Sequence, residues 1–316
     1  MANENLVICI GELLIDFFCI ERNTSLIDGK TFSKEAGGAP ANVAATIAAL
    51  GGNAAFAGKV GSDSFGDFLI WTLRNLSVDT SMIVKDAVLP TTLAFVSLTQ
   101  EGERDFQFNR GADKNLALSD LPEDRIMQSK IIHFGSATAL LEGKLRDTYF
   151  GLMETAKANG IFISFDPNFR SDLWRGNETE FIERSKSAIS QSDFVKVSDE
   201  ELFLITGEQD IIKGIEELHQ LGAGIVAVTK GKEGSLISNG GNAALIPSPE
   251  INAIDTTGAG DAFIGAVLHY FAEASHLNDI AQDFEYLKET AAEANSVAAQ
   301  VCTEVGALSA LASIKI

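Results

Sequence analysis

At 316 residues and 46% apolar content, the chain is long enough to bury one large core and has the composition of a globular protein. Its 44 acidic and 24 basic residues leave a net charge of −20, which argues against nucleic acid or an anionic membrane as partner, since both need clustered positive charge. An anionic ligand would need a locally built positive site. Three cysteines, Cys9, Cys19 and Cys302, lie in apolar surroundings without metal-type or redox-type spacing and read as core residues of a reducing compartment. The first five residues carry no basic region, and the apolar run behind them is broken by Glu12 and Asp16. Neither a signal peptide nor a membrane span is expected, and a cytoplasmic location follows.

Taken in order, residues 6–10 form a buried-strand run that 11–18 continue, with Glu12 and Asp16 on one face at even spacing. Carboxylates in such apolar company are costly without a partner, so Asp16 suits either a polar ligand or an edge strand. Residues 21–35 are polar, turn-rich and then strand-like. Next comes Gly37-Gly38-Ala39-Pro40-Ala41-Asn42, paired glycines before an alanine-rich helix that stops at Gly51-Gly52. Asn42, with both a donor and an acceptor, suits a sugar hydroxyl and a local cap equally well.

A buried strand at 54–60 and a helix from Asp63 to Asn75 follow, with Asp63 as the cap. Residues 91–99 and 104–109 read as a β-hairpin turning at Glu101-Gly102, with Phe106 and Phe108 on one face between Arg104 and Arg110. With the strand before Gly37, this hairpin is expected to form a small sheet, contributed by about 13–36 and 91–110, outside the main domain. From residue 131 onward, short apolar strands alternate with helices, which predicts a doubly wound, mainly parallel α/β sheet flanked by helices. Polar residues fall at the strand ends, where ligands bind in such sheets: Asp166, Asn168 and Arg170, then Lys196 and Ser198, then Thr229-Lys230-Gly231. A hairpin turn is expected at Asn239-Gly240.

Near the end, Asp255-Thr256-Thr257-Gly258-Ala259-Gly260-Asp261-Ala262-Phe263 reads as a loop feeding a helix. Gly258, Ala259 and Gly260 would let backbone N–H groups approach an anion, and Asp261 in the first turn is placed to take a proton from a hydroxyl beside it. The same residues also suit a plain helix start with an acidic cap. Phe263 stands where a dinucleotide fingerprint needs its third glycine, and no Gly-Lys-Ser/Thr is present for a P-loop. His133, His219, His269 and His276 show no ligand spacing.

The two glycine signatures, 37–44 and 255–263, resemble those of the ribokinase-like sugar kinases, the PfkB carbohydrate kinase family, and the resemblance spans the whole chain as a single domain. Within it, Gly11-Glu12-Leu13-Leu14-Ile15-Asp16-Phe17, the 165–170 stretch and the 196–202 stretch are similar to the fructokinases. The resemblance implies ATP-dependent phosphorylation of O6 of D-fructose, with Asp261 as base and the Gly258, Ala259 and Gly260 backbone as anion hole. It implies that Asp16, Gly37, Gly38 and Asn42 hold the sugar, that Arg104, Phe106 and Arg110 belong to a lid over it, and that Asn168 and Arg170 meet substrate or the transferring phosphate. Lys196, Thr229, Gly231, Gly234 and Asn295 match the ATP site.

Asp255, Thr257 and the stretch at Gly306 match a monovalent-cation (K+) site. Mg2+ would ride on ATP phosphates and water with Glu201 acting through a water. The family's Asn-x-x-Glu element appears here as Ser198-x-x-Glu201. A homodimer through the lid is the implied assembly. A 2-keto-3-deoxygluconate kinase is the nearest rival, with Arg110 and Arg170 reading a carboxylate. A nucleoside kinase and a non-catalytic sugar or nucleotide sensor stand further off.

Overall fold

Short strands made wholly of apolar residues need cover on both faces, and β1 (Val7–Ile10) is one, with every residue buried. The computed structural model describes residues 5–21, 23–98, 104–304 and 306–311. After β1 come β2 (Leu14–Cys19), β3 (Phe32–Gly37), β4 (Ala54–Gly61), β5 (Asp79–Asp86), β6 (Leu93–Leu98) and β7 (Arg104–Asn109). The rest supplies β8 (Ile131–Phe134), β9 (Phe162–Phe165), β10 (Phe194–Ser198), β11 (Ile225–Thr229), β12 (Ser235–Ser238) and β13 (Ala243–Ile246). Nine strands form one sheet in the order β13-β12-β11-β10-β9-β8-β1-β4-β5, parallel except where β12 meets β11 and β13. A separate four-stranded sheet runs β3-β2-β6-β7. This is the doubly wound α/β class with a small second sheet that the sequence predicts.

Helices cover both faces of the large sheet. Ala39–Ala49, Ala259–Glu273 and Phe284–Val301 enclose one core, and Lys144–Ala158, Glu178–Ile189, Asp199–Thr206 and Ile211–Leu221 enclose the other. From β1 the chain reaches β4 and β5 on one flank, then crosses to β8 on the other. A crevice therefore opens between the carboxyl ends of β1 and β8, the usual ligand position in such sheets.

Three details differ from the sequence reading. The run from 6 to 18 is not one strand: Gly11 takes φ +150, and the chain leaves the large sheet there to begin the small one. Glu12 consequently lies in the connection, 1% exposed, rather than on a shared strand face with Asp16. β5 and a short helix at Ala307–Leu311 were not anticipated, because β5, from Asp79 to Asp86, is polar at both ends and the helix has only five residues. Cys19, expected in the core, is half-buried and donates to Glu21 Oε2 at 3.2 Å. The Glu101-Gly102 turn lies outside the described residues. No helix among them is long and apolar enough to cross a membrane.

Small residues set the spacing of the two site-bearing helices. Ala41, Ala44 and Ala45 are fully buried, and a Cβ on Gly265 would overlap Thr46 of the facing helix. At Gly151 the same added Cβ would meet only Leu118 Cδ2, at 3.7 Å. Gly→Ala at these two helical positions should therefore differ in sign. Gly151→Ala gains up to about 1 kcal/mol from helix propensity. Gly265→Ala loses about 1–3 kcal/mol by overpacking. Urea denaturation of both variants checks this, and equal shifts would refute the close-packing argument.

Candidate active site

The helix Ala259–Glu273 starts at Gly258, whose φ of +80 is left-handed, and no side chain caps it. The acidic-cap reading of Asp261 is thus not what forms. Asp261 Oδ2 instead accepts a hydrogen bond from Asn42 Nδ2 at 2.8 Å across the helix pair. Asn42 is likewise no cap, since Gly38 holds that position and Asn42 lies inside its helix. The Gly258 and Gly260 amides meet no acceptor among the described residues. They remain available to an anion. A Cβ on Gly258 would overlap Ala307, so only glycine permits this turn.

Burial raises the Asp261 pKa to about 6, against the Asn42 hydrogen bond; Asp166 adds to the rise, and Arg170 and Lys196 counter it. Lys196, from β10, forms an ion pair with Asp166 at 3.0 Å, both side chains nearly buried. Burial opposes the lysine's charge, yet Asp166, Glu201 and Asp261 together hold its pKa above the ordinary value. Its ammonium would lie 3.1 Å from a Cβ on Gly260, next to the helix start. Asp166 Oδ1 also accepts from the Asn168 amide at 3.0 Å, and Asn168 Nδ2 donates to Gly135 O at 2.9 Å, fixing Asn168 at φ +47. Arg170 is exposed, and its recorded hydrogen bond is to Phe169 O.

Glu201 is committed to the backbone: Oε1 accepts from Phe169 N at 2.7 Å and Oε2 from Ser198 N at 2.8 Å. Ser198 Oγ returns a bond from Glu201 N at 3.1 Å. Serine at the place of the family asparagine therefore completes a capping box.

At the small sheet, Asp16 lies against Gly37, where any Cβ would overlap its Oδ2. Burial raises the Asp16 pKa to about 7; Arg170 lowers it, while Glu12 and Glu35 raise it further. Gly38 likewise lies on the Glu12 carbonyl. A cavity of about 300 Å³ opens here, lined in part by Asp16, Glu35, Gly37, Asn42 and Thr257. The strand register puts Phe106 and Phe108, stacked with centroids 6.1 Å apart, on the face of the small sheet that carries Asp16. The Arg104 side chain lies outside the described residues. Arg110 is anchored: it donates to Asp113 Oδ2 at 3.0 Å, Glu142 O at 2.6 Å and Thr138 O at 2.9 Å.

At the far end, Thr229 closes β11 beside Ser198 in register. Gly231 and Gly234 follow at φ +54 and +104, the latter packed on Ile246 O. Asn295 Nδ2 donates to that carbonyl at 2.9 Å. These positions gather at the carboxyl end of the strands that also carry Lys196. The Asp255 loop is gathered too: Asp255 Oδ1 accepts from Thr257 N at 2.9 Å and Oδ2 from Gly306 N at 3.0 Å.

Glu12, Asp166 and Glu35 had no role assigned from the sequence. Glu12 accepts from Ser136 Oγ and, at 3.3 Å each, from Ala39 N and Ala137 N, tying the Gly37-Gly38 turn to the end of β8. Its signal was a carboxylate just after a buried strand, as for Asp166. Glu35 gave no signal until the register set it opposite Asp16.

Comparison with known proteins agrees with this geometry. The pattern described as pfkB family carbohydrate kinase matches residues 4–313. Probable fructokinase-5 of Arabidopsis thaliana is 39% identical over 314 residues, covering 98% of this chain and 95% of that protein. The ATP-bound fructokinase of Xylella fastidiosa has a similar structure, with a TM-score of 0.88 and 33% identity over 97% of this chain and 95% of that one. A fructokinase double mutant of Vibrio cholerae O395, bound to fructose, ADP and a potassium ion, gives 0.84 and 31% over 98% and 96%. The chain belongs to the pfkB family of carbohydrate kinases, and it is an enzyme of that class.

Asp261 can accept a proton only when ionised, so with Asp261 as the base kcat should fall as pH drops through about 6, the value burial gives it. Asn42→Ala removes a donor that favours the ionised form, and the acid limb should move to higher pH. A pH–rate profile of both proteins checks the direction. A limb that stays fixed or moves down would separate Asp261 from the rate.

Proposed function

We propose that the protein transfers the γ-phosphoryl of ATP to O6 of D-fructose, giving fructose 6-phosphate. The observation that carries this is the joining of Asp261 to Asn42 at a helix start where the Gly258 and Gly260 amides are unengaged, with Asn42 also lining a cavity that Asp16 and Glu35 share. The sugar's hydroxyls would donate to Asp16 and to the Asn42 oxygen, which is buried without a partner. Asp261 takes the O6 proton as the oxygen attacks, and the Gly258, Ala259 and Gly260 backbone steadies charge on the phosphoryl oxygens. Lys196 and Arg170 add positive charge, with Asn168 held rigidly next to them.

Thr229, Gly231, Gly234 and Asn295 frame the nucleotide end. The Asp255 carboxylate, drawn to Thr257 and Gly306, fits a monovalent cation, which would be held there by hard oxygen donors. Bound potassium would supply fixed positive charge next to the anion hole. Magnesium fits Glu201 only through water, since both carboxylate oxygens already accept backbone amides. The small sheet acts as a lid whose Phe106 face shields the sugar from water, and it is the surface through which two copies pair. A cytoplasmic location suits free sugar and ATP as substrates.

The rival sugar-acid reading loses one of its two cations, because Arg110 is held by Asp113, Glu142 and Thr138. A non-catalytic sensor would not need the base and cradle glycines that are present.

Coupled assay of ADP release with fructose is the direct test, run with and without potassium. Asp261→Asn should cut kcat by about 10²–10⁴ while the melting temperature holds or rises, because a buried charge is removed. Near wild-type turnover in the purified variant would falsify the assignment of the base. Phe106→Ala should raise KM for the sugar and increase ATP hydrolysis without sugar, and unchanged values for both remove the lid from the site.

A further inference from the structure

The small sheet contains a local conflict that its own packing leaves unresolved. Asp16 of β2 and Glu35 of β3 are directly opposite in antiparallel register, and both line the cavity of about 300 Å³. Residues so placed have Cβ atoms about 4.5–5.5 Å apart, and like charges there destabilise a sheet. Among the described residues no donor reaches the Asp16 carboxylate, and Glu35 receives only Ser33 Oγ at 2.6 Å, from its own strand. The adjacent cation does not help: Lys34 points to the opposite face, with its ammonium 3.6 Å over the Phe68 ring. The neighbouring cavity atom Asn42 Oδ1 is also an acceptor without a donor. Three acceptors without matching donors, grouped at one part of an otherwise mainly apolar cleft, mark a site completed by its ligand.

We propose that Glu35 is a specificity-determining residue of the sugar site, pairing with Asp16 to receive hydroxyl donors from a neutral polyol and to repel a sugar acid. The inference rests on the proposed sugar-kinase reading and deepens it. A neutral ketose brings several O–H donors to these oxygens. A monoanionic sugar acid brings a carboxylate that has no donor and meets the Glu35 charge beside Asp16, with Arg170 as the opposing cation. Discrimination therefore comes partly from repulsion, which a single positive residue elsewhere in the cleft does not cancel.

Glu35→Gln keeps the shape of the side chain and an oxygen for Ser33 while removing the charge, so it is the decisive variant. With fructose, KM should rise about tenfold, the loss of a charge-assisted hydrogen bond, while kcat stays within about twofold. Inhibition by 2-keto-3-deoxygluconate should strengthen at least about threefold in the same variant, since one like charge has gone. An unchanged fructose KM together with unchanged inhibition overturns the proposal and leaves Glu35 an edge-strand residue. Failure of the wider reading looks different: the wild type then phosphorylates neither fructose nor other neutral sugars. In that case the thermal shift given by fructose against that given by the sugar acid still decides, with the Glu35→Gln preference moving toward the acid if Glu35 selects and staying fixed if it does not.

Discussion

The contact between the helices Ala39–Ala49 and Ala259–Glu273 is the constraint on which the site depends. One helix carries Asn42 and follows the Gly37-Gly38 turn; the other carries Asp261 and follows Gly258. The 2.8 Å bond between the two side chains exists only because alanines, Thr46 and Gly265 let the backbones approach. Larger residues would separate Asp261 from Asn42, with the helices themselves intact. Composition that looks like simple helix propensity in this stretch is thus a distance requirement set by chemistry.

Much of the fold was legible because parallel strands buried on both faces must be largely apolar, and the runs at 131–134, 162–165, 194–197 and 225–228 are, with His133, Ser164 and Lys196 as their polar members. The two glycine signatures were legible because each needs a backbone conformation or an approach that few residues allow. What escaped depended on long-range geometry. Nothing between Ile10 and Leu14 in the sequence announces a change of sheet, because Glu12 reads as strand-compatible until its donors, Ala39 and Ala137, are brought beside it. Glu35 is one charge among many until its register with Asp16 is known. Arg110 shows the same dependence: in the sequence it is one arginine beside a hairpin, and its hold on two loop carbonyls and Asp113 follows only from loops folded against it.

Ser198 shows how one element can be kept by a different route. The family asparagine and this serine both stand at a helix start, where a short side chain can cap the first turn. Here the serine closes the box with Glu201, and Glu201 in turn holds Phe169 N, one residue before Arg170. Glu201 is therefore a brace between two strand ends, its one carboxylate fixing both the end of β10 and the backbone just before Arg170.

The overall charge of −20 makes the handling of anions the central electrostatic task of the protein. Long-range attraction of ATP by the surface is not available, so binding must rest on short-range donors screened little by salt. The structure supplies them at one end only. Lys196 and the amides before Ala262 lie together at the start of the helix Ala259–Glu273, while Asp16, Glu35 and Asn42 line the cavity. Asp261 stands at the junction, pulled upward in pKa by burial and Asp166 and downward by Asn42, Arg170 and Lys196. Donors gather near Lys196 and acceptors near Asp16, a short-range gradient that takes the place of the attraction the acidic surface cannot offer an anion, and Asp261, bonded to Asn42, stands between them.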